Sequence, residues 1–95
     1  MLLAAARQQI ADRLAAGDPD GALALAAQVR QLFPNDYHLA YLSGRAMLLE
    51  GDAAAARSEL ERAAHAAPDD RDIWVELERC GGEGAGLLLA ELPPL

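Results

Sequence analysis

Gly17-Asp18-Pro19-Asp20-Gly21-Ala22 is answered 34 residues later by Gly51-Asp52-Ala53-Ala54-Ala55-Ala56. Gly falls on Gly, Asp on Asp, and Ala22 on Ala56. At the same spacing Pro34 recurs as Pro68, and Asn35-Asp36 as Asp69-Asp70. Each marker is a turn residue or a small residue. Their common spacing marks an internal repeat, which helical composition alone would not produce. A chain of 95 residues holds little more than two such units, so one domain over residues 1–95 is expected.

The segments between the markers read as helices. Ala and Leu dominate, β-branched residues are scarce and Thr is absent, which favours an all-α chain. The first helix is expected over about Leu2 to Ala16, ending at Gly17, a residue that tolerates the left-handed conformation just past a helix. Asp18 suits an N-cap and Pro19 the first helical position, where its missing N–H costs nothing. The second helix carries Ala22, Leu23, Leu25, Ala26, Val29 and Leu32 on a broad apolar face and stops before Pro34. Asn35 or Asp36 caps a third helix running to about Glu50. Asp52 caps a fourth, through about Ala67. Asp69 or Asp70 caps a fifth, over about Arg71 to Cys80.

The period and its markers resemble the tetratricopeptide repeat, a pair of antiparallel helices that stacks on its neighbours. In the second unit Gly44 matches the small position of the first helix, and Ala56, Leu60, Ala63 and Pro68 match the positions of the second helix and the close. Small residues at Gly44 and Ala56 imply a close approach of the two helices. Trp74 and Leu77 match the opening of a third unit. The departures are Ala40 and Ser43, which replace a large residue and Leu, and Ile10, which a strict 34-residue register puts at the small position. Shortening the turn Ala15-Ala16-Gly17 by one residue brings Ile10-Ala11 and Leu14 onto the pattern, and that register is expected. The resemblance implies a short right-handed α-solenoid. Its units are repeat 1 at about residues 3–36, repeat 2 at about 37–70, and a half repeat at 71–80. A Gly-rich connector at 81–86 and a short apolar segment at 87–92 follow. That segment is expected either to cap the fifth helix or to mediate self-association as a homodimer; alternatively the chain is the amino-terminal part of a longer protein.

Catalysis needs convergent reactive groups, and few are available: two His, one Cys, two Ser, and no Lys or Thr. His38 and His65 lie in different repeats. No HExxH motif or Cys/His pair is present, and the stretch Gly81 to Gly86 lacks the phosphate-loop pattern. No enzyme activity, metal or other cofactor is expected. Cys80 is expected to be a partly buried, inert thiol. The net charge is −7, and all eight basic residues are Arg, spread from Arg7 to Arg79 mostly near acids. Nucleic-acid binding requires concentrated positive charge, so a nucleic-acid partner is not expected. No apolar run reaches the ~18 residues a membrane span needs. The start of the chain lacks the basic region of a secretory signal. A cytoplasmic location follows as the expectation.

The resemblance implies a non-catalytic protein–protein interaction module that binds a peptide or helix in a concave groove lined by the first helix of each repeat. Carried onto this chain, the groove positions are His38, Tyr41, Arg45 and Leu48, then Asp72, Val75 and Arg79. On the first helix the choice lies between Ala4, Arg7, Ala11 and their neighbours Ala5, Gln8, Asp12. Tyr41 and Arg45 are one helical turn apart and share a face, and both types are enriched among binding hot spots. Chaperone-binding members of the family clamp a carboxylate with Lys, Asn and Arg. The corresponding positions here are His38 and Leu42, then Asp72 and Glu76, so that clamp is absent. An apolar, basic or helical ligand is expected. A second function the resemblance implies is that of a small chaperone for a secreted or aggregation-prone client, as in some bacterial short-repeat proteins. Trp74 is expected to pack between helices rather than stand as an exposed anchor, and Phe33 to pack at the inter-repeat turn.

Overall fold

The computed structural model describes residues 2–80, and these form five helices joined by short turns. They are α1 (Leu2–Ala15), α2 (Pro19–Leu32), α3 (Tyr37–Leu49), α4 (Ala53–Ala66) and α5 (Arg71–Arg79). No strand occurs among the described residues, and no helix there is long and apolar enough to cross a membrane. Each helix packs on the next, as expected for stacked helix pairs. In addition α3 touches both α1 and α5. The first helices of the repeats thus lie side by side, and α2 and α4 form the layer behind them.

The turns repeat bond for bond. At the end of α1 the Gly17 N–H donates to Leu14 O at 3.1 Å and the Asp18 N–H to Arg13 O at 2.8 Å. At the end of α3, Gly51 donates to Leu48 O at 3.0 Å and Asp52 to Met47 O at 2.9 Å. Both are Schellman closures, which place the residue after the helix in the left-handed region. Gly17 and Gly51 occupy that region with φ of 77° and 85°. The next residue then caps the following helix: Asp18 Oδ1 accepts from Gly21 N at 3.0 Å, and Asp52 Oδ1 from Ala55 N at 3.2 Å. Between repeats, Asp36 Oδ2 accepts from Leu39 N and Asp70 Oδ1 from Asp72 N, so Asp36 and Asp70 hold the caps rather than Asn35 and Asp69. Such a cap contributes about 1 kcal/mol.

These bonds correct the expected register of α1. The turn at Ala15-Ala16-Gly17 is not shortened, because its hydrogen bonds match those of the second turn residue for residue at a spacing of 34. Ile10 therefore does stand at the position of Gly44, and it is fully buried. The reason lies across the helix pair. In repeat 2 a Cβ added to Gly44 would lie 2.6 Å from Leu60 Cγ and 3.3 Å from Ala56 O, so only glycine fits against that leucine. In repeat 1 the residue equivalent to Leu60 is Ala26, which shares a core cluster with Ile10 and Ala22. The large and small partners have exchanged helices, and the same space is filled from the opposite side.

Two core clusters result. One joins Ile10, Leu14, Ala22, Ala26 and Val29 to Leu39, Leu42 and Ala46, with Phe33 packed on it at the inter-repeat turn. The other joins Ala40, Leu60, Ala63 and Ala64 to Ile73 and Leu77, with Trp74 packed on it. Trp74 is only half-buried, and its Nε1–H donates to Pro68 O at 2.7 Å. It packs as expected but against one side only. Ion pairs bind the layers at their edges. Arg7 forms a two-pronged pair with the capping carboxylate of Asp36, and Arg30 Nη1 meets Glu59 Oε2 at 2.6 Å across α2 and α4.

The exchanged packing gives a double-mutant test. Gly44→Ile is expected to destabilise by about 1–3 kcal/mol through overpacking, and Leu60→Ala by about 2–5 kcal/mol through the cavity left behind. The pair together, which reproduces the Ile10/Ala26 arrangement, should recover about 1–3 kcal/mol relative to the sum in urea denaturation. Strict additivity would show that the two positions do not share one space.

Candidate functional site

The face built by α1, α3 and α5 is assembled from residues at the same places in successive repeats. Arg7 on α1, Tyr41 on α3 and Val75 on α5 are 34 residues apart in turn. Arg7 is held by Asp36 at the N-terminus of α3. Tyr41 replaces it in the next repeat and lies near the equivalent acid, Asp70, whose charge with those of Asp72 and Glu76 bears on its phenol. Tyr41 also packs against both core clusters, so its ring joins the two repeats. In this register Ala4, Arg7 and Ala11 are the first-helix residues equivalent to His38, Tyr41 and Arg45; Ala4 is exposed, as are the alternatives Ala5, Gln8 and Asp12, and Arg7 and Ala11 are half-buried.

Arg45, one turn after Tyr41, lies over the Tyr41 ring at 5.7 Å from its centroid. This is cation–π distance. Arg7, Arg13, Arg30, Arg57, Arg62 and Arg79 each meet a carboxylate. Arg45 makes no ion pair with any described residue. Beside it a cleft of about 190 Å³ opens between the ends of α3 and α5, lined by Arg45, Leu48, Leu49, Glu76 and Arg79. Glu76 is buried and accepts from Arg79 Nη1 at 3.2 Å. Leu49 is 60% exposed, a large apolar side chain facing water at the cleft.

Of the seven groove residues expected from the sequence, the structure brings Arg45, Leu48 and Arg79 into this cleft, with Tyr41 joined to it through Arg45. His38 sits at the other end of α3, its ring stacked on Tyr37 at 4.5 Å. Asp72 and Val75 are exposed on α5 and do not line the cleft. Leu49 and Glu76 were not among the seven. Glu76 carried a signal: an acid between Ile73 and Leu77 on the apolar stripe of a helix calls for a basic partner, and Arg79 stands three residues on. Leu49 carried none, since an exposed leucine in an apolar run is indistinguishable from a buried one.

Tyr41 and Cys80 are both shifted toward their neutral forms. Burial pushes the Tyr41 phenol above its ordinary pKa of 10.0; Arg45 opposes that rise, and Glu76, Asp72 and Asp70 add to it. The phenol is a neutral hydrogen-bonding group at physiological pH. Cys80 is half-buried at the end of α5, and burial followed by the charge of Glu76 raises its thiol, against the pull of Arg57. A raised thiol holds little reactive thiolate at neutral pH. No three His, Cys, Asp or Glu among the described residues gather as a metal site.

A stack of antiparallel helix pairs whose turns recur every 34 residues defines a helical-repeat module. The sequence matches the tetratricopeptide repeat over residues 13–77, more than half of the chain, and the chain belongs to that family. Repeats of this family generally mediate protein–protein interaction and are generally non-catalytic. A comparison with curated proteins found no match.

The Arg45–Tyr41 contact makes a titration prediction. Arg45→Gln should raise the Tyr41 phenol further, read as a later phenolate transition by absorbance in a Tyr37→Phe background. Because the folded state holds this proton more tightly than the unfolded chain, the associated stability is present below pH ~10 and lost as pH rises through the folded pKa. An unchanged transition would mean that the guanidinium does not act on the ring.

Proposed function

We propose that the chain is a non-catalytic adaptor that seats a peptide or helix of a partner protein against α3 and α5. The observation that carries this is Arg45, a cation without a carboxylate, braced on Tyr41 beside exposed leucine. Lone charges on a surface are common, but this one is oriented by an aromatic ring and adjoins an apolar cleft. A ligand that places an apolar side chain between Leu48 and Leu49 and a carboxylate or carbonyl on Arg45 would satisfy both. Such a central, oriented Arg has the character of a binding hot spot. Tyr41 contributes the flat apolar wall and its neutral hydroxyl. Asp72 on the outer surface of α5 supplies a negative rim that would fix the orientation of a ligand with a basic end.

The same distribution of charge supports a partner that is protein rather than nucleic acid. Six arginines are already engaged by carboxylates, and the net charge of −7 opposes a phosphate backbone. We place this activity in the cytoplasm.

Capture of a partner from lysate of the source cells by the full chain tests the proposal. Arg45→Glu should weaken capture about tenfold or more, as expected for loss of a hot-spot contact, while the helical circular dichroism is retained. Tyr41→Ala with Arg45→Ala should abolish capture, but Tyr41 also joins the two cores, so the single Arg45 variant is the decisive one. Unchanged capture by Arg45→Glu would reject this face as the binding surface.

A further inference from the structure

The back of α5 is not built to receive another repeat helix. In repeat 2, α4 packs over Ala40 and Gly44 of α3, and the glycine is needed because Leu60 lies against it. The α5 residues at the same places are Trp74 and Glu78. Trp74 is fastened to Pro68 O, and Glu78 is exposed. Trp74 matches the large residue of the pattern, but Glu78 stands where α3 has Gly44, so an apolar helix laid there in the manner of α4 would bury a carboxylate at the closest point of approach, which is strongly unfavourable. The apolar run Leu87-Leu88-Leu89-Ala90-Glu91-Leu92 also has six residues, where α2 and α4 each have fourteen. It is too short to serve as a second repeat helix like α2 or α4.

The cleft between α3 and α5 answers this segment in both chemistry and position. It offers the exposed Leu49, the half-buried Leu48 and the unpaired Arg45. The segment offers four leucines and one acid, Glu91. Chain continuity lets the segment reach the cleft, since α5 ends at Arg79, a wall of the cleft. The six residues 81–86 reach about 20 Å when extended, ample to return to an adjoining surface. A tether of this length presents the segment at an effective concentration on the order of millimolar.

We propose that residues 87–92 of the same chain occupy the α3–α5 cleft, with leucines against Leu48 and Leu49 and Glu91 on Arg45, and that a partner must displace them to bind. The tail is then an intramolecular competitor that sets a threshold on partner affinity. This rests on the cleft being the ligand site, as proposed above.

The test uses full chains and a synthetic peptide of residues 86–95 as the probe. Leu88→Asp with Leu89→Asp releases the tethered segment and should leave the cleft open to the peptide in calorimetry. Amide shifts are then expected at Arg45, Leu48 and Leu49. The native chain should bind the same peptide roughly tenfold or more weakly, because its own segment competes. Adding Arg45→Glu to the released chain should remove binding. Equal binding by native and released chains, no binding by the released chain, or shifts confined to Trp74 and Arg71 would each overturn the proposal. So would a native dimer that dissociates in the released chain, since the segment would then belong to a second copy. Failure of the peptide measurements leaves the effect of Arg45→Glu on partner capture intact. Failure of the groove itself would show in capture.

Discussion

Where α3 and α4 cross, a glycine lies against a leucine so closely that a single added carbon would overlap it. Every other feature depends on antiparallel helices approaching to that distance. Close approach lets Ala56, Leu60 and Ala63 vanish from solvent in a domain too small for a deep core. It also fixes α3 at the centre, in contact with all four other helices. Repeat 1 meets the same constraint with the opposite choice, Ile10 against Ala26. What is preserved between the repeats is the summed volume at the crossing, and the residue type at either position is free to vary with its partner.

Once the helix pairs are set, the polar groups sort by place. Asp18, Asp36, Asp52 and Asp70 satisfy the free N–H groups at the starts of α2 to α5, and Asp36 is additionally gripped by Arg7. Much of the acidity of the chain is thus structural, spent on helix starts and layer edges. The groove departs from this economy at Arg45. Its counterpart in repeat 1 is Ala11, so no repeat geometry demands a charge there. Tyr41, standing where repeat 1 has the paired Arg7, supplies the ring that orients it. The substitution of an arginine–aspartate pair by an aromatic ring, one repeat on, turns a structural clasp into an open surface.

The five helices were legible because their signals are local. Gly at a left-handed closure, Asp at a cap and Pro after an end act within one turn of the backbone, and each appears in the structure where its spacing placed it. The family also followed from these markers. The register of α1 did not, since Ile10 at a small position looks like an error until Ala26 is seen across from it. Sequence spacing compares one repeat with another along the chain, whereas compensation acts through space between helices. Trp74 was read correctly as a packing residue, held on the second core cluster and by Pro68 O.

The site divides in the same way. Arg45, Leu48 and Arg79 could be named from their places in the repeat. That these three meet, that Leu49 and Glu76 join them, and that Arg45 has no carboxylate partner among the described residues depended on the packing of α3 beside α5. The sequence by itself determined the helices, their ends and their period, because turn and cap energetics involve residues a few positions apart. Only the tertiary structure decided which large residue faces which small one and which charge is left unpaired, because both depend on residues brought together from different helices.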